Sequence, residues 1–272
     1  MLKSPMRIRH FRRQALVLAA LGMGLAPALH AAGGAEIGVV VMHGKGGRPG
    51  KFVDTLANTL ERAGFQVANL EMPWSGRRHY DVPLQTAVDE ISQALDAMRA
   101  KGVRKVFVAG HSQGGIFALL YSGQHAVDGV LPIAPGGNAD AQVISNALAG
   151  HVARARQLIA DGRGNEMTDF ADHEGSRGSF SITTTPAIYL EWFDPNGRHT
   201  SRVFRQVKPG TPVLYVAPSG DYPGLAKMKD RNFNTLPLHP STRLYAPDSD
   251  HLNAPAAAAE EAVKWIQAIA QP

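Results

Sequence analysis

Apolar and polar positions along the chain fall into two alternating rhythms. Ile37-Gly38-Val39-Val40-Val41-Met42 is an almost unbroken apolar run that stops at His43-Gly44, as a strand buried on both faces does. Phe52, Leu56, Leu60 and Ala63 then fall at helical spacing, and Gly64 ends that helix. Residues 65–70 predict a second strand, closed by Pro73, and Val88, Ile91, Leu95 and Met98 predict a second helix, ended by Gly102. A third strand, Val106 to Ala109, runs straight into Gly110-His111-Ser112-Gln113-Gly114-Gly115, and Ile116, Phe117, Leu119 and Leu120 predict an apolar helix behind it. A fourth strand is expected at 129–134. From about 136 to 208 the rhythm loosens, with helical spacing at 143–158 and loops at 161–165 and 175–179. It resumes with strands at 212–216 and 242–245 and a closing helix at 255–270. Strands alternating with helices predict an α/β fold class. We expect a mostly parallel sheet of about six or more strands, helices on both faces, and a helical and loop cap inserted at about 136–208.

Charge alters this picture only at the front of the chain. The 272 residues hold 28 Lys and Arg against 23 Asp and Glu, for a formal net charge of +5 and a pI near 9.6. Lys3, Arg7, Arg9, Arg12 and Arg13, and no acid, lie within residues 1–32. They precede an apolar stretch from Ala15 to Ala26, too short to span a bilayer comfortably, and then small residues at 28 and 31–34. This order predicts a secretory signal peptide over 1–32, cleaved between 28 and 33. Arg12-Arg13 partly matches a twin-arginine signal, but Phe11 stands where Ser or Thr is usual, so the general secretory route is favoured. Residues 33–272 then carry 23 charges of each sign and no basic run interleaved with aromatics, so no nucleic-acid partner is expected. The expected location is the periplasm or the exterior, with no stable membrane anchor after cleavage. The chain has no cysteine, which excludes disulfides, thiolate metal sites and cysteine nucleophiles. A domain of this size buries roughly three quarters of its unfolded surface and needs no such staple.

Gly110-His111-Ser112-Gln113-Gly114 fits G-x-S-x-G and lies between an apolar strand and an apolar helix, the context that pattern requires. There a sharp strand-to-helix turn holds the serine in a strained conformation, and flanking glycines remove Cβ atoms that would collide. The helix N-terminus behind it favours developing negative charge. The spacing matches neither a phosphate-binding nor a dinucleotide-binding glycine loop. Ser112 is the candidate nucleophile. On these residues the sequence resembles the α/β-hydrolase superfamily, and the resemblance covers essentially all of residues 33–272.

That resemblance implies a nucleophile, an acid and a histidine, in that order, on loops after successive strands. A serine hydroxyl needs a base. His251, in the segment 248–253 between the last strand and the last helix, takes that place; His239 is a nearby rival, and His111 is expected to point away from the serine. Asp221, in Pro218-Ser219-Gly220-Asp221, falls where the family places the acid that fixes the histidine tautomer. Pro218 departs from the family's usual Gly-x-x-Asp turn, which leaves the register open by one residue; Asp248 and Asp250 are the alternatives, though side chains so close to His251 would struggle to reach round to Nδ1. The oxyanion hole is expected from the backbone N–H of Gln113 and of Lys45 in His43-Gly44-Lys45-Gly46-Gly47, with Gly44 as second choice for the latter.

Weaker signals surround these. His43, Trp74 and Trp192 are candidates for substrate contact. Tyr189, Trp192 and Phe193 would either wall an acyl pocket or anchor the cap to the core. The loop from Trp74 to Tyr80, with Arg77 and Arg78, could hold an anionic group but reads more readily as solvated. Asp169, Asp172, His173 and Glu174 lack calcium-loop or H-E-x-x-H spacing, so no metal and no cofactor are expected. The function expected is that of an exported serine hydrolase cleaving a small-molecule acyl ester through an acyl-enzyme intermediate. Thioesters, lactones or amides, or a catalytically silent binding protein on the same fold, are the alternatives; the sequence carries no sign of oligomeric state.

Overall fold

The computed structural model describes Met1, residues 36–175 and residues 177–271, so the expected signal peptide, Met1 apart, lies outside the described residues. In chain order the elements are β1 (Ile37–Met42), α1 (Asp54–Arg62), β2 (Gln66–Leu70), α2 (Leu84–Arg99), β3 (Lys105–His111), α3 (Gln113–Gln124) and β4 (Gly129–Ile133). An inserted segment follows, with α4 (Gln142–Ala160), β5 (Thr168–Glu174), β6 (Gly178–Thr184), α5 (Pro186–Phe193) and α6 (Val203–Gln206). The chain closes with β7 (Leu214–Val216), α7 (Pro223–Phe233), β8 (Arg243–Tyr245), α8 (Ala254–Ala257) and α9 (Ala259–Ala270).

Six strands form one sheet in the order β2-β1-β3-β4-β7-β8, and every pairing in it is parallel. Because strand side chains alternate between faces, each strand feeds two cores. Val40, Met42, Val106, Val108, Val130 and Tyr215 join α2, α3 and the inserted segment on one face. Val39, Val41, Phe107, Leu131, Leu214 and Val216 join Leu56 and Leu60 of α1 and Trp265 and Ile266 of α9 on the other. Double coverage is why these strands carry apolar runs with few polar breaks. Helix α3 lies between the sheet and the inserted segment, and everything in it from Gln113 to Ser122 is buried. No helix among the described residues is long and apolar enough to cross a membrane.

The inserted segment contains the short helices α5 and α6 and a hairpin that the periodicity did not predict. Around the expected 175–179 loop, β5 and β6 pair antiparallel from Thr168↔Thr184 to Glu174↔Gly178. Phe170 and Asp172 on β5, and Ile182 and Thr184 on β6, are the buried positions of a period-two pattern. A charged residue in one of the inward positions concealed that pattern. Aromatic rings fasten the segment down. Phe170 stacks on Tyr189 at 4.2 Å and Tyr189 on Phe193 at 4.5 Å, while Trp192 meets Phe117 of α3 at 5.6 Å and Trp74 at 5.8 Å.

Candidate active site

Parallel strands deliver their carboxyl ends to one edge of the sheet, and the candidate residues lie on the loops there. Ser112 joins β3 to α3 with φ 53° and ψ −117°, a left-handed conformation that costs a non-glycine residue about 1–3 kcal/mol. Its amide donates to Ile133 O at 2.9 Å, and its carbonyl accepts from Gly115 N at 2.9 Å and Ile116 N at 3.2 Å, which starts the helix. The neighbouring glycines are sterically required. A Cβ on Gly110 would lie 2.1 Å from Gly114 O, and one on Gly114 would lie 2.7 Å from both His43 O and Met42 O. The Gln113 and Gly114 amides open α3, where a helix leaves its first N–H groups without an intrahelical partner.

His251 and Asp221 form a buried pair beyond β8 and β7. His251 Nδ1 donates to Asp221 Oδ1 at 2.7 Å, with side-chain exposures of 5% and 4%. The same Oδ1 accepts from Tyr222 N at 2.8 Å, and the Tyr222 ring stacks on the imidazole at 4.2 Å. Tyr222 carried no sequence signal beyond its place after Asp221. The two loops run alongside each other, with Gly220 N donating to Ser249 O at 2.9 Å. The other acids are engaged elsewhere: Asp250 accepts from Asn253 N and Nδ2, and Asp248 from Ser219 Oγ. His239 Nδ1 accepts from Ser241 N. His111 is buried next to His251, their ring centroids 4.8 Å apart, and its Nε2 donates to His251 O at 2.8 Å. Burial, then the neighbouring His251, holds the His111 imidazole neutral with its pKa pushed down to about 3.

The loop from His43 to Gly47 lies against the serine turn: a Cβ on Gly44 would come within 3.2 Å of Ser112 Cβ. His43 Nε2 accepts from Met72 N at 3.0 Å, so Nδ1 carries the proton and donates to Gly44 O at 2.8 Å. Burial pushes the His43 pKa down to about 4. Trp74 Nε1 donates to His43 O at 2.8 Å, and Gly46 N donates to Trp74 O at 2.8 Å. Lys45 Nζ reaches the inserted segment, donating to Asp172 Oδ1 at 2.6 Å and His173 O at 3.0 Å.

Among the residues put forward for substrate contact, His43, Trp74 and Trp192 are 0%, 1% and 1% exposed. Their ring nitrogens are committed to protein partners, that of Trp192 to Val82 O. The loop expected to be solvated is so in its middle, where Gly76 and Arg77 are exposed and Arg78 and His79 half-buried, and not at its ends. Trp74, Ser75 and Tyr80 are buried; Arg77 pairs with Glu71, and Arg78 with Glu90 and Asp81. Tyr80, which the sequence did not single out, holds a positive φ of 56° and places its hydroxyl 2.7 Å from Asp172 Oδ2 and 3.3 Å from Gln113 Oε1.

A parallel sheet of this order, turning into a helix at a strained serine, is the architecture of the α/β hydrolases. The monoacylglycerol lipase of Paleococcus ferrophilus superposes with a TM-score of 0.57 at 18% identity, over 85% of this chain and 94% of that one. A carboxyl esterase from Bacillus coagulans gives 0.58 at 16% identity over 85% and 88%. Est1E from Butyrivibrio proteoclasticus, with ferulic acid bound, gives 0.55 at 15% identity over 85% and 86%. At these identities the likeness is one of fold. Within the class, a family model described as serine aminopeptidase, S33, matches residues 35–174, and the chain belongs to that hydrolase family. No curated protein matches the chain.

Proposed function

We propose that the chain is a serine hydrolase acting on small-molecule acyl esters. The observation that carries this reading is the backbone of Ser112, held at φ 53° between glycines that leave no room for a Cβ, at the sheet edge that bears the buried His251–Asp221 pair. In the proposed cycle His251 Nε2 takes the Ser112 hydroxyl proton as Oγ attacks the acyl carbonyl. Asp221 holds Nδ1–H and stabilises the imidazolium. The Gln113 and Lys45 amides receive the negative charge on the tetrahedral oxygen. Collapse gives the acyl-serine while His251 protonates the departing alcohol. Water, deprotonated by His251, then attacks the acyl carbon, and its proton passes to Ser112 as the acid leaves. Ester cleavage is supported by the lipase and esterase names of the fold neighbours. The family's description favours a second reading, cleavage of an amide at a peptide N-terminus. Export through the signal peptide at 1–32 belongs to the same proposal.

A fluorophosphonate probe should label the chain, and Ser112→Ala should abolish labelling and turnover while the chain stays folded. Labelling that survives Ser112→Ala sinks the proposal. p-Nitrophenyl esters of graded length, assayed beside aminoacyl p-nitroanilides, separate the two readings; faster anilide turnover selects the second.

A further inference from the structure

Asp172 is the one acid of the 169–174 run that is wholly buried, and two of its three partners lie outside the inserted segment. Oδ1 accepts from Lys45 Nζ at 2.6 Å and from His173 N at 2.7 Å; Oδ2 accepts from the Tyr80 hydroxyl at 2.7 Å. Lys45 Nζ completes its surroundings with His173 O and the face of Phe193, 5.6 Å from the ring centroid. Its side chain is 4% exposed and that of Asp172 0%. A buried ion pair gives little net stability over an apolar pair of the same volume, so its retention points to a role in specifying position. What it positions is legible from its ends. Lys45 belongs to the loop that lies against the serine turn and that is proposed to supply one oxyanion-hole amide. Tyr80, held at positive φ, gives its one hydroxyl proton to Asp172, and its oxygen lies 3.3 Å from the Gln113 side-chain amide, whose NH₂ donates to it once the amide is turned; Gln113 is the residue proposed to supply the other amide.

We propose that Asp172 is a positioning residue for the oxyanion hole: one carboxylate, carried in by the inserted hairpin, fixes the Lys45 loop through the ammonium and braces Gln113 through Tyr80. The inference rests on the ester-hydrolase reading above. Both amides act only if held where the oxyanion forms, and displacement by about 1 Å costs on the order of 100-fold in rate. Losing Asp172 should therefore lower kcat and spare ground-state binding.

The experiment compares wild type, Asp172→Asn and Asp169→Asn in the full chain on p-nitrophenyl butyrate. Asp169 is on the same strand but exposed, bonding Thr183, and its variant should keep the wild-type kcat. For Asp172→Asn we expect kcat to fall about 100-fold with KM within about threefold. Affinity for a trifluoromethyl ketone, which forms a tetrahedral adduct on the serine, should fall in parallel. An unchanged kcat, or a loss confined to KM, overturns the proposal. Since a lone buried ammonium can unfold the chain, Lys45→Met/Asp172→Leu removes both charges. A folded double variant with reduced kcat supports the inference, and one with the wild-type kcat overturns it. If wild type itself neither turns over esters nor takes the fluorophosphonate, the ester-hydrolase reading falls and this inference with it. An active wild type with an equally active Asp172→Asn removes this inference alone.

Discussion

The two backbone segments that flank the serine, the turn from Gly110 to Gly115 and the loop from His43 to Gly47, are held by opposite means. The turn is fixed from within. Its glycines stand where a Cβ would strike neighbouring backbone, and its carbonyls and amides close on β4 and on the first turn of α3. The loop has short-range bonds of its own, from His43 Nδ1 and Gly47 N to Gly44 O, but it is tied down mainly by partners distant in sequence: His43 bonds Met72 N, Trp74 bonds His43 O, and Lys45 reaches Asp172. A steric constraint has no titratable part and little tolerance, whereas a hydrogen-bonded loop can be loosened by a proton or by a change far along the chain.

The largest expected effect leaves both segments in place and disables what they serve. Asp221→Asn should lower kcat by roughly 10⁴-fold by losing the tautomer it holds, while Asp250→Asn, which disturbs only the Asn253 turn, should stay within about threefold. Steady-state kinetics on both variants decides, and the reverse ranking would move the acid to Asp250. Gly110→Ala attacks the turn, and its Cβ would meet Gly114 O at 2.1 Å. Unfolding in urea should show a loss of about 3 kcal/mol, at the upper end for overpacking. A near-neutral result would mean that the turn is not sterically held.

Acid attacks the loop instead. The folded pKa of His43 is lowered to about 4, so below the ordinary histidine value of about 6.5 the unfolded chain binds the proton first. The stabilisation is fully present above about pH 6.5 and is lost as pH falls toward 4, up to about 3 kcal/mol for this residue. Buried His111 and His199, both pushed down to about 3, act in the same direction. His43→Gln should be the less stable protein at about pH 7 and close the gap at about pH 4; a gap independent of pH would refute the assignment. The smallest effect is expected at Leu238, 98% exposed, where Leu238→Ser should change stability by less than about 0.5 kcal/mol.

The same division decides what could be read from sequence. Strand runs such as 37–42 and the glycine spacing around Ser112 are local or periodic, and they lead to the sheet and the turn; Asp221 and His251 follow only from the resemblance to the superfamily. The partners of the His43–Gly47 loop are neither local nor periodic. Nothing near Lys45 announces Asp172, 127 residues away. Tyr80 sits beside Arg77, Arg78 and His79, polar company that made a buried tyrosine read as part of a solvated loop. The hairpin is hard to read because Asp172 occupies an inward position of β5, whereas Phe180, Ile182 and Thr184 of β6 carry the alternation of its partner strand.

The Lys45–Asp172 contact also bears on how far the inserted segment can be exchanged. Insertions of this kind are natural units for grafting new substrate preferences onto a conserved sheet, and an aromatic anchor tolerates substitution by other apolar residues. An ammonium that the incoming segment itself must bury does not. A donor hairpin must bring a carboxylate in the same strand register, because a slip of one residue turns that position to the outside. Any library that recombines this segment with other sheets should therefore treat Lys45 and Asp172 as one inherited unit, although they lie at opposite ends of a long stretch of chain.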